Sequence, residues 1–158
     1  MAETEATLSD PYTFSSTGEL GLTNARKLRK GHGVVGADVT LTTVQQALTE
    51  SASTPHAVVA LVDAKARLVV TGLGKEAVPV GDLKALTPLV QTNNLMLASF
   101  ATESSTSAPV TIARFSNEDY VLATANIGQS RQIPLRMVAF APMSDLSSYV
   151  VEAPATRC

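Results

Sequence analysis

Apolar and polar positions fall into short blocks along the 158-residue chain, and the period changes from block to block. Residues 1–10 are polar and read as a loose lead-in. Residues 21–28 (Gly-Leu-Thr-Asn-Ala-Arg-Lys-Leu) alternate, as a strand with one wet face does. Arg29-Lys30-Gly31-His32-Gly33 is turn chemistry, with two glycines free to take positive φ. Residues 33–39 form a short apolar strand whose small side chains let a neighbouring segment come close. Residues 18–39 are thus predicted to be a β-hairpin. The spacing then becomes helical: Leu41, Val44 and Leu48 put one apolar face on residues 40–52. Thr40 or Thr42 supplies the N-cap, and Thr42 with Gln45 fits a capping box.

Residues 57–62 are apolar at every position, as a central strand should be. Residues 63–66 make a tight turn, residues 67–71 the returning strand and residues 72–81 a loop. Residues 82–100 read as helix in one or two pieces, with Thr87 capping and Pro88 at the first helical position. A Ser/Thr loop at 102–109 leads to three strands at 110–116, 120–127 and 135–141. Pro142 stops the last strand, and Ser144 or Asp145 opens a helix toward Val151.

From Leu41 onward the order is helix, two strands, helical crossover, three strands. It predicts an α+β fold: an antiparallel five-stranded sheet with helices on one side. The hairpin before it has no helix of its own. An isolated two-stranded hairpin is marginal in water, so it should join a larger sheet or pair with another chain. The chain accordingly divides into a lead-in and hairpin (1–39), a connecting helix (40–52), a sheet domain (53–150) and a tail (151–158).

Composition narrows the classes. At 45% hydrophobic and 16% charged residues the chain is globular rather than disordered. Aromatics at 4%, no Trp and a net charge of −2 exclude a base-stacking or DNA-binding surface. The basic run Arg26-Lys27 and Arg29-Lys30 reads as a solvated strand end. The single Cys158 allows no internal disulfide. No run approaches the ~20 apolar residues of a membrane helix, and residues 1–9 are not expected to be a signal peptide. His32 and His56 lack metal-site spacing, Gly72-Leu73-Gly74-Lys75 lacks the full phosphate-loop pattern, and no Gly-x-Ser-x-Gly occurs. No metal, no cofactor and no enzymatic activity are expected.

Asp10-Pro11-Tyr12, Thr17-Gly18, Gly21-Leu22-Thr23 and residues 33–41 (Gly-Val-Val-Gly-Ala-Asp-Val-Thr-Leu), in that order, resemble the double Cache sensors of bacterial membrane receptors. There they would be the last strands of the membrane-distal subdomain and the start of the helix entering the proximal one. Ala60-Leu61-Val62-Asp63 with Arg67-Leu68-Val69 resembles the first hairpin of the PAS-like proximal subdomain. Asp119-Tyr120-Val121 and residues 135–145 resemble its closing strands and its exit toward the membrane. The resemblance runs over residues 10–149 and is nearest to sensors attached to class III adenylate cyclases or histidine kinases. It implies an extracytoplasmic module that binds a small molecule and relays a conformational change to an effector. The family's first half-subdomain has no counterpart here, so a receptor fragment is expected. Ala66 also stands where the family's hairpin turn carries glycine, so a different turn type is expected.

Four residues are singled out. Asp38 matches the family's acceptor for a ligand ammonium, a role that a charge-assisted hydrogen bond suits. It also stands where its charge would favour the following helix N-terminus. Tyr12 matches a pocket tyrosine, although Phe14 replaces the acid that amino-acid sensors carry two residues later; ordinary packing is the alternative. In the proximal unit Tyr120 and Arg136, like Arg114 and Thr124, are on strands that could face a pocket or water. One rival reading is a soluble PAS-like module that forms a homodimer through exposed strands, the unpaired hairpin above all, or through its N-terminal helix. A second is a small enzyme with an unrecognised site, for which only the abundance of hydroxyl residues speaks.

Overall fold

The computed structural model describes residues 6–30, 32–77, 85–102, 110–127 and 135–150, with side chains of the last three omitted. Gly31, the start of the predicted 82–100 helix, most of the 102–109 loop and the tail lie outside the described residues.

The predicted hairpin forms from β3 (Leu20–Lys27) and β4 (Val34–Thr40), in register from Gly21↔Thr40 to Lys27↔Val34. It is closed by the Leu28 amide donating to the Gly33 carbonyl at 2.9 Å. It is not isolated. Two short strands precede it, β1 (Ala6–Leu8) within the lead-in and β2 (Tyr12–Thr13) just after the lead-in, and they pair one after the other with the far edge of β3. Between them Ser9 and Thr23 exchange two hydrogen bonds, the Ser9 amide to the Thr23 carbonyl (3.0 Å) and the Thr23 amide to Ser9 Oγ (2.9 Å). Residues 6–8 of the expected loose lead-in, with Tyr12–Thr13 just after it, are therefore the second edge of a four-stranded sheet. Strands of two or three residues are too short to show a period, which is why the pattern missed them.

The second sheet has six strands, all antiparallel: β5 (Val58–Asp63), β6 (Arg67–Leu73), β7 (Thr87–Pro88), β8 (Val110–Phe115), β9 (Glu118–Ile127) and β10 (Leu135–Pro142). Their spatial order is β7-β6-β5-β10-β9-β8. The five predicted strands are all present, and β7 is added where helix was expected. Pro88 is accommodated because β7 is an edge strand, which tolerates a residue without an amide hydrogen. A 3₁₀ turn follows at Leu89–Gln91, and helix begins only at α2 (Leu95–Thr102). Asn94 caps α2, accepting the Leu97 amide on Oδ1 at 3.0 Å, so Thr87 is not the cap.

Helices cover this sheet on both faces, not one. Residues of β5 alternate between two cores. Val58, Ala60 and Val62 pack with α2 through Leu97 and Phe100. Val59 and Leu61 pack with Leu41 and Leu48 of α1 (Leu41–Ser51) and with Leu22 of β3. Hence the run at 57–62 is apolar throughout: a strand buried on both faces has no wet side. Gly72 makes the α1 contact possible, because a Cβ there would collide with the α1 backbone at Leu48 and Thr49. Thr40 caps α1, accepting the Thr43 amide at 3.3 Å, and the Thr42–Gln45 box is not used.

The β5–β6 turn keeps its tight form despite Ala66, which takes φ of 55°. Asp63 holds it there. Its Oδ1 accepts the amides of Lys65 and Arg67, both at 2.9 Å, and its Oδ2 accepts Arg67 Nε at 2.6 Å. The last described element is α3 (Met143–Val150), which begins directly after β10. No helix of the described residues is long and apolar enough to cross a membrane.

Candidate functional site

The four-stranded sheet presents one arrangement with chemical direction. Thr23 and Asp38 are opposite each other on β3 and β4, and Tyr12 is opposite Gly21 on the other side of β3. Alternation puts Gly21, Thr23 and their partners on one face. There Thr23 Oγ1 donates to Asp38 Oδ1 at 2.5 Å, and the Tyr12 hydroxyl is 2.5 Å from Thr23 Oγ1. Thr23 has one hydroxyl hydrogen and commits it to Asp38, so Tyr12 donates to Thr23. The relay ends on a carboxylate. Among the described residues no cationic side chain pairs with Asp38.

Tyr12 is 44% exposed, and Phe14 is buried beside it with ring centroids 5.1 Å apart, edge to face. Phe14 lies over Gly21, whose missing side chain makes room for the ring. An acid at position 14 would be buried there, so the phenylalanine is a packing residue. Asp38 is not the cap of α1, since Thr40 fills that role. The structure thus brings Tyr12 and Asp38 into one network through Thr23. Sequence reasoning did not single Thr23 out, although the hairpin register places it opposite Asp38.

Tyr120 and Arg136 are apart from this face and from each other. Arg136 reaches back to the end of α2, where its Nη2 donates to the Phe100 carbonyl at 2.8 Å. That favours the helix C-terminus. Tyr120 lines a cavity of about 220 Å³ with His56, Val58, Asn94, Met96, Glu118, Phe140, Pro142 and Ser144. Burial pushes the Tyr120 hydroxyl above its ordinary pKa, and Glu118 adds to the shift. Arg114 is on the wet face, paired with Asp119 at 3.0 Å.

His56, weighed above only as a metal ligand, is on the cavity wall and pairs with Asp145. Asp145, in the first turn of α3, is 9% exposed. It accepts the His56 amide on Oδ2 at 2.9 Å and meets His56 Nδ1 through Oδ1 at 2.7 Å. Burial pushes its pKa up, but the His56 amide and ring outweigh it, and the carboxyl ends below its usual value. The Thr54 hydroxyl falls short of strict hydrogen-bond geometry to any described group, yet it too favours the charged carboxylate. The same hydrogen bond raises His56 above its usual pKa. Burial opposes that rise, and the charges of Asp145, Glu76 and Glu118 reinforce it. With Asp145 ionised, the proton of a neutral His56 is on Nδ1. Among the described residues no cluster of His, Cys, Asp and Glu could hold a metal ion.

No family model matches the sequence, and no curated protein matches it. Solved structures do. The ligand-binding domain of the Pseudomonas fluorescens chemoreceptor CtaA, in complex with L-isoleucine, has a TM-score of 0.60 at 16% identity, covering 93% of this chain and 56% of that one. The ligand-binding domain of the Pseudomonas aeruginosa amino acid chemoreceptor PctB, in complex with L-Arg, has 0.62 at 16%, covering 98% and 56%. The extracellular domain of a histidine kinase, mmHK1S-Z3, has 0.61 at 12%, covering 94% and 53%. The chain spans a little over half the length of these structures. At such identities the likeness establishes the fold: α+β with antiparallel sheets, the architecture of receptor ligand-binding domains.

Proposed function

We propose that this chain is the ligand-sensing part of a bacterial membrane receptor with double Cache architecture, acting by binding rather than by catalysis. Residues 1–39 would close the membrane-distal subdomain, residues 40–52 connect, and residues 53–150 form the membrane-proximal subdomain outside the cytoplasm. The observation that carries the reading is the Tyr12–Thr23–Asp38 relay on an exposed face of the first sheet. Its carboxylate suits a ligand ammonium, because charge-assisted hydrogen bonds are the strong and directional ones. Phe14 in place of an acid argues against the contact set of amino-acid sensors and leaves the rest of the ligand open in chemistry. Binding would act by favouring one of two arrangements of α1 and α3, to the extent of its differential affinity for them.

The reading is tested by the DNA on either side of this reading frame. It predicts in-frame coding for a membrane helix and further sensor sequence upstream, and for a membrane helix and signalling domain downstream. Stop codons bracketing the frame would contradict it. They would favour a second reading, a homodimer formed through β4, an open edge with Val34 and Val35 at 68% and 57% exposure.

A further inference from the structure

We infer that the cavity between β9, β10 and the start of α3 is a second ligand site, for a small organic cation: a primary ammonium on a short apolar chain. Its floor is apolar, formed by Val58, Met96 and Phe140, and its volume is about 220 Å³. That is below the ~300–1,000 Å³ of sites for drug-sized molecules, so the ligand is small.

The charge around the cavity selects its sign. Glu118 is on the wall, and among the described residues no Lys or Arg lines it. The Glu118 carboxylate accepts Ser144 Oγ on Oε1 at 3.0 Å and the Tyr120 hydroxyl on Oε2 at 3.3 Å. Both partners are neutral, so they orient the carboxylate without cancelling its charge. An ionised carboxylate has about four acceptor sites, and two of these are used. Among the described residues no cation is paired with Glu118. Tyr120 and Phe140 also put aromatic rings on the wall.

His56 sets the pH dependence. Asp145 from α3, Glu76 from the turn after β6 and Glu118 from β9 all bear on it, and its ring is on the cavity wall. A bound cation and a protonated His56 repel each other, so binding tightens as pH rises and the ring loses its proton. Because Glu118 also holds Ser144 at the start of α3, the ligand would be felt by the helix that leaves the domain.

The test uses n-butylammonium as probe, with butan-1-ol and butyrate as neutral and anionic matches, read by calorimetry and by shift in melting temperature. Only the ammonium should bind saturably and raise the melting temperature. Glu118→Gln should weaken it at least about tenfold, the loss of one charged partner. Asp38→Asn should leave it unchanged, which separates this site from the first sheet. Affinity should rise from about pH 5 to about pH 8 in the wild type and stay flat in His56→Gln. Met96→Trp, which fills the cavity without touching a charge, should abolish binding while the protein still melts cooperatively. Equal binding of butan-1-ol, full affinity in Glu118→Gln or Met96→Trp, or no saturation into the tens of millimolar would overturn the inference.

Discussion

Ala66 shows how one residue's strain is held by its neighbours. A left-handed backbone costs a residue with a Cβ about 1–2 kcal/mol. Asp63 offsets that cost with two backbone amides and the Arg67 guanidinium. Replacing Ala66 with Gly removes the Cβ penalty but frees the unfolded chain, worth about 0.4–1 kcal/mol the other way. The expected net is a gain of between about zero and about 1.6 kcal/mol in urea melts. A loss would show that Ala66 is not strained at its φ of 55°. At the same scale, His56 and Asp145 give the fold a pH window. The lowered Asp145 contributes stability above the ordinary carboxylate range and loses it as pH falls through its folded value. The raised His56 contributes below its ordinary pKa and loses that as pH rises through its folded value. Stability should therefore decline at both ends, and His56→Gln should flatten the alkaline limb of the urea midpoint against pH. A wild-type midpoint constant from about pH 6 to about pH 8 would contradict the pairing. Tyr12 and Asp38 were singled out through the family resemblance, and the structure adds that Thr23 links them. The His56–Asp145 pair gave no such signal, because its partners are 89 residues apart in sequence.

Among the elements, the long periodic ones were readable and the short ones were not. The hairpin, α1 and the five main strands declare themselves by alternation or helical spacing. The segment at 82–100 did not, because its apolar residues serve an edge strand, a 3₁₀ turn and a short helix in succession. The one-sided helix expectation failed for a related reason: β5 is apolar at every position, so its pattern shows burial without showing what covers each face. Leu61 is on the α1 face, 5% exposed, among Leu22, Leu41, Leu48, Val59 and Val69. Leu61→Ala should cost about 2–5 kcal/mol in denaturant melts. A loss well under about 1 kcal/mol would mean that α1 is not docked on that face.

Across the whole molecule, α1 and one charge pair join the two sheets. Leu22 of β3 shares a core with Leu41, Leu48 and Val59. Arg67, anchored on Asp63, also reaches Asp10 in the lead-in at 3.1 Å. A change on the first sheet therefore bears directly on α1 and on the β5–β6 hairpin. The Tyr12–Thr23–Asp38 face gives the most direct test of the proposed function. In a nuclear magnetic resonance titration of this chain with a panel of small primary amines, the account predicts that a binding member shifts the amide signals of Thr23 and Asp38, and that Asp38→Asn removes the effect. A panel in which no member moves those signals, or a shift of them that persists in Asp38→Asn, would contradict it; binding confined to the Glu118 cavity moves other signals and survives that substitution.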